Sequence, residues 1–77
     1  MVGESVTRAR TAAGLSVDDL ADRTKIRSSI ILAIECGDFS VCGGDVYARG
    51  HLKSIAAVLG MDQDALLDEF EGVAGVD

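Results

Sequence analysis

Residues 46–60 contain the side chains best suited to contact a protein partner. One stripe has members four, three and four residues apart, which places them along one face of an α-helix: Tyr47, His51, Ser54 and Val58. Tyrosine and arginine are common anchors of protein interfaces. The stripe therefore predicts a partner-binding surface, and two basic residues that are also four apart flank it: Arg49 and Lys53.

Gly50 lies in the middle of the same segment, where it costs about 1 kcal/mol relative to alanine. A glycine at this position suggests that another backbone approaches it closely. An alternative interpretation places Tyr47 inside the fold against Phe39 and leaves His51 simply exposed. Residue types and spacing alone do not decide between a contact surface and this packing.

A second group of polar side chains has the types that contact nucleic acid. Lys25 and Arg27 can pair with phosphates, and Arg27 can also donate to a guanine. Ser28 and Ser29 can bond to either, whereas Leu32 further along cannot hydrogen-bond a base. The alternative is that Lys25 and Arg27 are solvated surface charges.

The residues needed for catalysis or for a metal site are missing. His51 is the single histidine, and Cys36 and Cys42 lie six residues apart, which is not the spacing of a close zinc pair. We therefore expect no enzyme activity, no metal, no cofactor and no small-molecule substrate. The cysteines are interpreted as two reduced thiols, one of them buried, with a disulfide or a redox role as the alternative.

The length of 77 residues corresponds to one domain, expected over residues 1–71. Residues 72–77 show no helical pattern and are expected to form a flexible tail, natural or preceding a linker and a membrane span. The net charge of −6 is uneven: residues 1–60 have seven acidic and seven basic residues, and residues 61–77 have six acidic residues. Nucleic-acid-binding modules are usually basic, so this balance lowers the expectation of tight DNA binding.

Glycines and capping residues divide the chain into five predicted helices. Gly14, Gly37 and Gly60 each follow an apolar-periodic stretch and are expected to close a helix, and Gly43-Gly44 marks a turn. The first helix is expected over residues 3–13, the second begins after residue 16, and the third runs from after residue 27 to about residue 36. The fourth is expected over residues 45–59, and the fifth begins at residue 62. Three expected N-terminal caps are Ser16, Asp45 and Asp62. Expected inward-facing residues are Val6, Ala9, Ala13, Val17, Leu20, Ala21, Ile26, Ile30, Ile31, Ile34, Ala48, Leu52, Ile55, Ala56, Leu59, Ala65, Leu66, Leu67 and Phe70.

Residues 16–37 have the pattern of a helix-turn-helix. Ala21 is small where the second helix crosses, Ile26 supplies an apolar residue in the turn, and Ile31 and Ile34 anchor the second helix. The segment resembles the Cro/C1-type family in its Leu20-Ala21 pair and in Ile34-Glu35-Cys36-Gly37. The resemblance implies an all-α, five-helix compact bundle of the lambda-repressor-like type. In DNA-binding members the second helix enters the major groove.

The second half resembles a narrower branch of that superfamily, the cytoplasmic N-terminal domains of the RodZ family. The matching residues are Thr24-Lys25-Ile26-Arg27, Gly37-Asp38-Phe39 and Val46-Tyr47-x-Arg49-Gly50-x-Leu52-Lys53-Ser54, then Leu59-Gly60. The resemblance covers roughly residues 3–70. Departures are Gly43-Gly44 where the family has proline, histidine at 51 where it has an aromatic residue, and isoleucine at 55 where it has tyrosine.

The RodZ resemblance implies a bacterial cell-shape role and a partner. Family members place this domain in the cytoplasm, ahead of a basic linker and one inner-membrane span, and bind the actin-like filament protein MreB through aromatic residues of the fourth helix. The corresponding positions are Tyr47 and His51. We therefore expect an actin-like filament protein or another morphogenesis protein as partner. The alternative is a DNA-binding transcriptional regulator that uses the third helix.

Overall fold

A computed structural model describes the backbone of residues 2–74 and the side chains of residues 2–72. Within this range the protein is all-helical, which confirms the predicted fold class. The helices are α1 (Val2–Ala12), α2 (Val17–Thr24), α3 (Ser28–Glu35), α4 (Asp45–Leu59) and α5 (Gln63–Ala74), and a short 3₁₀ turn spans Ser40–Cys42.

Two of the three predicted N-terminal caps are confirmed by their hydrogen bonds. The Ser16 hydroxyl accepts from the Asp19 amide and the Asp19 carboxylate accepts from the Ser16 amide, a complete capping box. The Asp62 carboxylate accepts from two amides of the first turn of α5. The prediction of Asp45 as a cap was wrong: Gly44 occupies that position, and no side chain caps α4.

The turn between α2 and α3 depends on Thr24 and Lys25. The Thr24 hydroxyl donates to the Leu20 carbonyl at 2.7 Å and accepts from the Ile26 amide at 3.3 Å. Lys25 closes α2 in the left-handed conformation, with φ of 61°. This turn brings Ile26 into the core, as the helix-turn-helix pattern predicts.

The core lies between α4 and the remaining helices and joins both halves of the chain. The rings of Phe39 and Phe70 pack edge to face, with their centroids 4.8 Å apart. This contact links the segment after α3 to α5. Two expected inward residues, Ala13 and Ala65, are exposed instead. The buried apolar residues are Val2, Val6, Leu20, Ile26, Ile31, Ile34, Cys42, Ala48, Leu52, Ile55, Ala56, Leu66 and Phe70.

Two features were not expected from the pattern, the 3₁₀ turn and the length of α5. The turn buries Cys42 while Cys36 stays exposed, and both are free thiols, in line with the interpretation of two thiols with one of them buried. Burial raises the pKa of the Cys42 thiol, because the thiolate would lose its hydration. Helix α5 continues to Ala74, so residues 72–74 of the expected tail are helical; residues 75–77 lie outside the described part.

Candidate functional site

The outer side of α4 presents large apolar side chains to solvent at its first turn. Val46 is 80% exposed and Tyr47 is 64% exposed. The interpretation that packed Tyr47 inside the fold against Phe39 is wrong, because most of Tyr47 is exposed to solvent. The sequence analysis did not select Val46 as a site residue, although an apolar side chain at this position could be read from the sequence. Its exposure could not be predicted, because it depends on which side of α4 packs against the core.

The predicted basic flank of α4 is exposed, but its two members differ in their surroundings. Arg49 lies 3.6 Å from the Glu71 carboxylate of α5, and both side chains are about half exposed. Such a pair contributes little stability. Lys53 and Ser54 are exposed on the same helix. Among residues 2–72, Lys53 has no ion-pair partner.

The rest of the predicted stripe does not form a free surface. His51 is half-buried, and Val58 packs against the core cluster together with its neighbour Leu59. The expectation that the stripe is separate from the core therefore does not hold at Val58. The reason is that Val58 lies closer to the buried side of α4 than Ser54 does, so the core covers part of its side chain.

Gly50 is exposed, and nothing lies within 4 Å of the position that a Cβ atom would occupy. The close backbone approach expected at this glycine does not come from within the described part of the domain. By contrast, a Cβ on Gly3 would collide with the Glu35 carbonyl, so Gly3 is the residue at which two helices meet closely.

The second predicted site lies at the start of α3. Lys25, Arg27 and Ser29 are exposed, and Ser28 is half-buried. Arg27 precedes the first helical residue and makes no capping bond with its side chain. One turn further along, Leu32 is 52% exposed. The outward face of α3 is thus polar at its first turn and apolar beyond it.

Sequence reasoning missed the ion pair between Arg10 and Glu35. The Arg10 Nε and Nη2 atoms donate to the two Glu35 carboxylate oxygens at 2.7 and 3.1 Å, and Nη1 donates to the Leu15 carbonyl at 3.0 Å. The hydrogen bonds to Glu35 and the charge of its carboxylate raise the pKa of Arg10. The glutamate of the Ile-Glu-x-Gly motif therefore ties α1 to α3, which is a structural role.

Neither a metal site nor a membrane span is visible in the described part of the chain. No group of three or more His, Cys, Asp or Glu residues there is placed to hold a metal ion. None of the described helices combines the length and the apolar character that crossing a membrane requires.

Comparison with known proteins places this fold in a family. A family model described as a helix-turn-helix domain matches residues 6–66. The chain belongs to this helix-turn-helix family. It is 33% identical over 70 residues to the cytoskeleton protein RodZ of Streptococcus pneumoniae, which covers 91% of this chain and 25% of that protein. The chain is therefore a RodZ-like helix-turn-helix domain.

A second relative is the uncharacterized membrane protein YmfM of Bacillus subtilis. The identity is 36% over 55 residues, which covers 71% of this chain and 19% of that protein. The chain thus spans about a quarter or less of the length of the relatives it matches. No solved structure matches.

Proposed function

We propose that this domain is the cytoplasmic interaction module of a bacterial cell-shape protein and that it has no enzyme activity. Its α4 surface, formed by Val46, Tyr47, Arg49, Lys53 and Ser54, binds an actin-like filament protein or another morphogenesis protein. The observation that carries the proposal is the 64% exposure of Tyr47 on α4 of a RodZ-like domain.

The chemistry of the α4 surface supports a protein partner. A tyrosine ring offers a large apolar area and a hydroxyl group with little loss of side-chain entropy on binding. Val46 extends the apolar area, and the basic side chains lie beside it. An apolar centre with a polar rim is the usual arrangement of a protein interface.

The proposal extends to the cellular location of the whole protein. One relative is described as a membrane protein and the other as a cytoskeleton protein, and the chain matches only a part of each. We infer that this domain faces the cytoplasm in a protein that is anchored by a single inner-membrane span. The domain would then connect the membrane to a filament.

Co-pelleting with purified filaments of the actin-like protein from the same organism tests this function. Tyr47→Ala should weaken binding about 30-fold, the factor that corresponds to an interface residue worth about 2 kcal/mol. Leu32→Ala is the matched control, because it removes a similarly exposed apolar side chain from α3. Equal binding by wild type and Tyr47→Ala would contradict the proposed surface.

The alternative function is a DNA-binding regulator, in which Arg27 would contact the DNA. Its side chain is exposed at the start of α3 beside Lys25, Ser28 and Ser29, where a recognition helix contacts DNA. The exposed Leu32 and the net charge of −6 favour the protein partner instead. A DNA titration at several salt concentrations decides: tight binding that Arg27→Ala weakens supports the regulator, and no binding at low salt excludes it.

A further inference from the structure

We propose that α3 is the contact surface of a weak two-fold dimer, in which it packs antiparallel against α3 of a second copy of this chain. The proposal concerns a different helix from the α4 surface and goes beyond the proposed function. It rests on three features of α3: its apolar character on every side, the order of its outward side chains, and the opposite charges at its two ends.

Helix α3 is apolar on all sides. Residues 30–34 are five consecutive apolar residues, and at about 100° per residue such a run covers every side of the helix. Ile31 and Ile34 are buried in the core, whereas Leu32 on the outward side is 52% exposed. A helix that is hydrophobic all round is normally covered all round. Residues 2–72 leave more than half of Leu32 uncovered, so the outward side of α3 still lacks a packing partner.

The outward residues of α3 are ordered so that this side can pair with itself. Ser29 and Cys36 are seven residues apart, about two turns, and therefore point in nearly the same direction. Leu32 and Ala33 lie halfway between them, one on each side of that line. A two-fold axis that crosses α3 between residues 32 and 33 places Ser29 of each copy opposite Cys36 of the other. It also brings the two Leu32 side chains together at the axis, where each covers the other.

The two ends of α3 carry opposite charges. Lys25 and Arg27 are exposed ahead of its first residue. Asp38 is exposed just after its last turn, where the Asp38 amide donates to the Ala33 carbonyl at 2.8 Å. Arg27 and Asp38 are equally far along the chain from the midpoint between residues 32 and 33. Antiparallel pairing therefore brings each Arg27 to the Asp38 of the other copy, whereas parallel pairing would bring like charges together.

The expected dimer is weak because α3 is short. Eight residues span about 12 Å, so the contact buries much less than the roughly 800 Å² per partner of a standard interface. We expect a dissociation constant on the order of 0.1–1 mM. At micromolar concentrations the chain is then mostly monomeric, and Leu32→Ala remains a valid control for filament binding. Copies that are tethered to one surface reach the concentrations at which the contact forms.

Other occupants fit the outward side of α3 less well. DNA is read by hydrogen bonds to base edges, and the side chains of Leu32, Ala33 and Cys36 are poorly suited to make them. Asp38 at the far end would repel phosphates, whether they belong to DNA or to an anionic lipid surface. A different protein would have to match one basic end, one acidic end and an apolar centre. A second copy supplies all three in the correct order.

Cross-linking through Cys36 tests the antiparallel geometry. Facing Cα atoms of helices packed 8–10 Å apart lie about 4–5 Å from each other, within the reach of a disulfide. Under oxygen with copper–phenanthroline as catalyst, Ser29→Cys should give at least about tenfold more disulfide-linked dimer than the wild type. Peptide mapping should find the new thiol joined to Cys36. Two Cys36 residues are about 10 Å apart along the helix and do not join. Ser54→Cys, exposed on α4, is the matched control and should give no more dimer than the wild type.

Sedimentation equilibrium at a chain concentration of about 1 mM tests the contact without thiol chemistry. Leu32→Glu should weaken self-association at least about tenfold, because it brings two carboxylates together at the axis. Val41→Glu is the matched control, since Val41 is also 52% exposed but lies in the 3₁₀ turn. Arg27→Asp and Asp38→Arg should each weaken the dimer. The two changes combined should restore it, because the charge pair forms again with its signs exchanged.

Several outcomes would overturn the dimer. A wild type that stays monomeric at about 1 mM does so, and so does a Ser29→Cys variant that cross-links no more than Ser54→Cys. Equal effects of Leu32→Glu and Val41→Glu, or no recovery in the charge-exchanged double variant, assign the association to another surface. Tight DNA binding that Leu32→Glu abolishes assigns α3 to nucleic acid. Filament binding through Tyr47 is measured separately, so the proposed function is tested independently of the dimer.

Discussion

Glu35→Ala is expected to destabilise the domain strongly, because it removes the carboxylate that binds Arg10 through two hydrogen bonds. The bonds measure 2.7 and 3.1 Å, and only 17% of the Arg10 side chain and 9% of the Glu35 side chain are exposed. In the variant the guanidinium keeps the Leu15 carbonyl as its acceptor. The remaining positive charge is then largely buried without a counter-charge.

The expected size of the effect follows from that burial. A solvent-exposed ion pair contributes about 0–1 kcal/mol, whereas removing one partner of a fully buried pair costs about 3–5 kcal/mol. Because the pair is slightly exposed and the Leu15 bond is retained, we expect Glu35→Ala to lower the free energy of unfolding by about 2–3 kcal/mol. A domain of this length has a total stability of roughly 4–12 kcal/mol, so a large share is lost.

Urea denaturation followed by circular dichroism measures the loss and allows a double-mutant cycle. Glu35→Ala, Arg10→Met and the double variant should give a coupling energy of at least about 1.5 kcal/mol. Arg10→Met combined with Glu35→Leu should recover most of the stability, since apolar residues can replace a buried pair. A loss below about 0.5 kcal/mol in Glu35→Ala, or a coupling energy near zero, would refute the reasoning.

Three further predictions concern the backbone and the capping box. Gly3→Ala should destabilise by about 1–3 kcal/mol in urea denaturation, because the added methyl group meets the Glu35 carbonyl; an unchanged midpoint would contradict this close contact. Lys25→Gly should stabilise by about 0.5–1 kcal/mol, since the φ of 61° is strained for lysine, and a lower melting temperature would contradict it. Hydrogen bonds from Ser16 hold the pKa of Asp19 below its usual 3.8. The ionised carboxylate therefore stabilises the fold above pH 3.8, and this stabilisation is lost as the pH falls through the lowered pKa of the folded state. Thermal melts of wild type and Asp19→Asn should therefore converge below pH 3.8, and a constant difference down to the lowest pH would disprove the linkage.

The helices were predictable because their ends are marked by local chemistry. Gly14, Gly37 and Gly60 all adopt positive φ, as their positions after apolar-periodic stretches indicated. The Ser16 capping box could also be identified, since both partners lie within four residues. Such signals act over one turn and survive in any tertiary context that permits the helix.

What the sequence did not reveal depends on contacts between distant residues. Arg10 and Glu35 are 25 residues apart, and only the folded structure shows that their side chains meet. The 3₁₀ turn is three residues long, too short for a periodic pattern. Asp45 has the right type for a cap, but it is already the first helical residue of α4. The two preceding glycines have positive φ and bring the chain into the helix one residue earlier than a cap at Asp45 requires.

The candidate surface on α4 could be predicted in part. Spacing placed Tyr47 on a helix face, and the structure shows that Tyr47 itself is exposed. Spacing did not separate Val58, which packs on the core, from Ser54, which is exposed, because the border between the two sides falls between them. That border is set by where α5 lies against α4, which no local pattern encodes.

The contact between α1 and α5 determines when the domain can fold during synthesis. The Ser5 hydroxyl donates to the Glu69 carboxylate at 2.8 Å across 64 positions of sequence, and Phe70 is part of the buried core that includes Val2. Within this domain, α1 leaves the ribosome before α5, so α1 acquires one of its packing partners only when α5 has emerged. A nascent chain halted after α4 would expose apolar side chains that α5 normally covers, so chaperone binding to such an intermediate should end as α5 clears the exit tunnel.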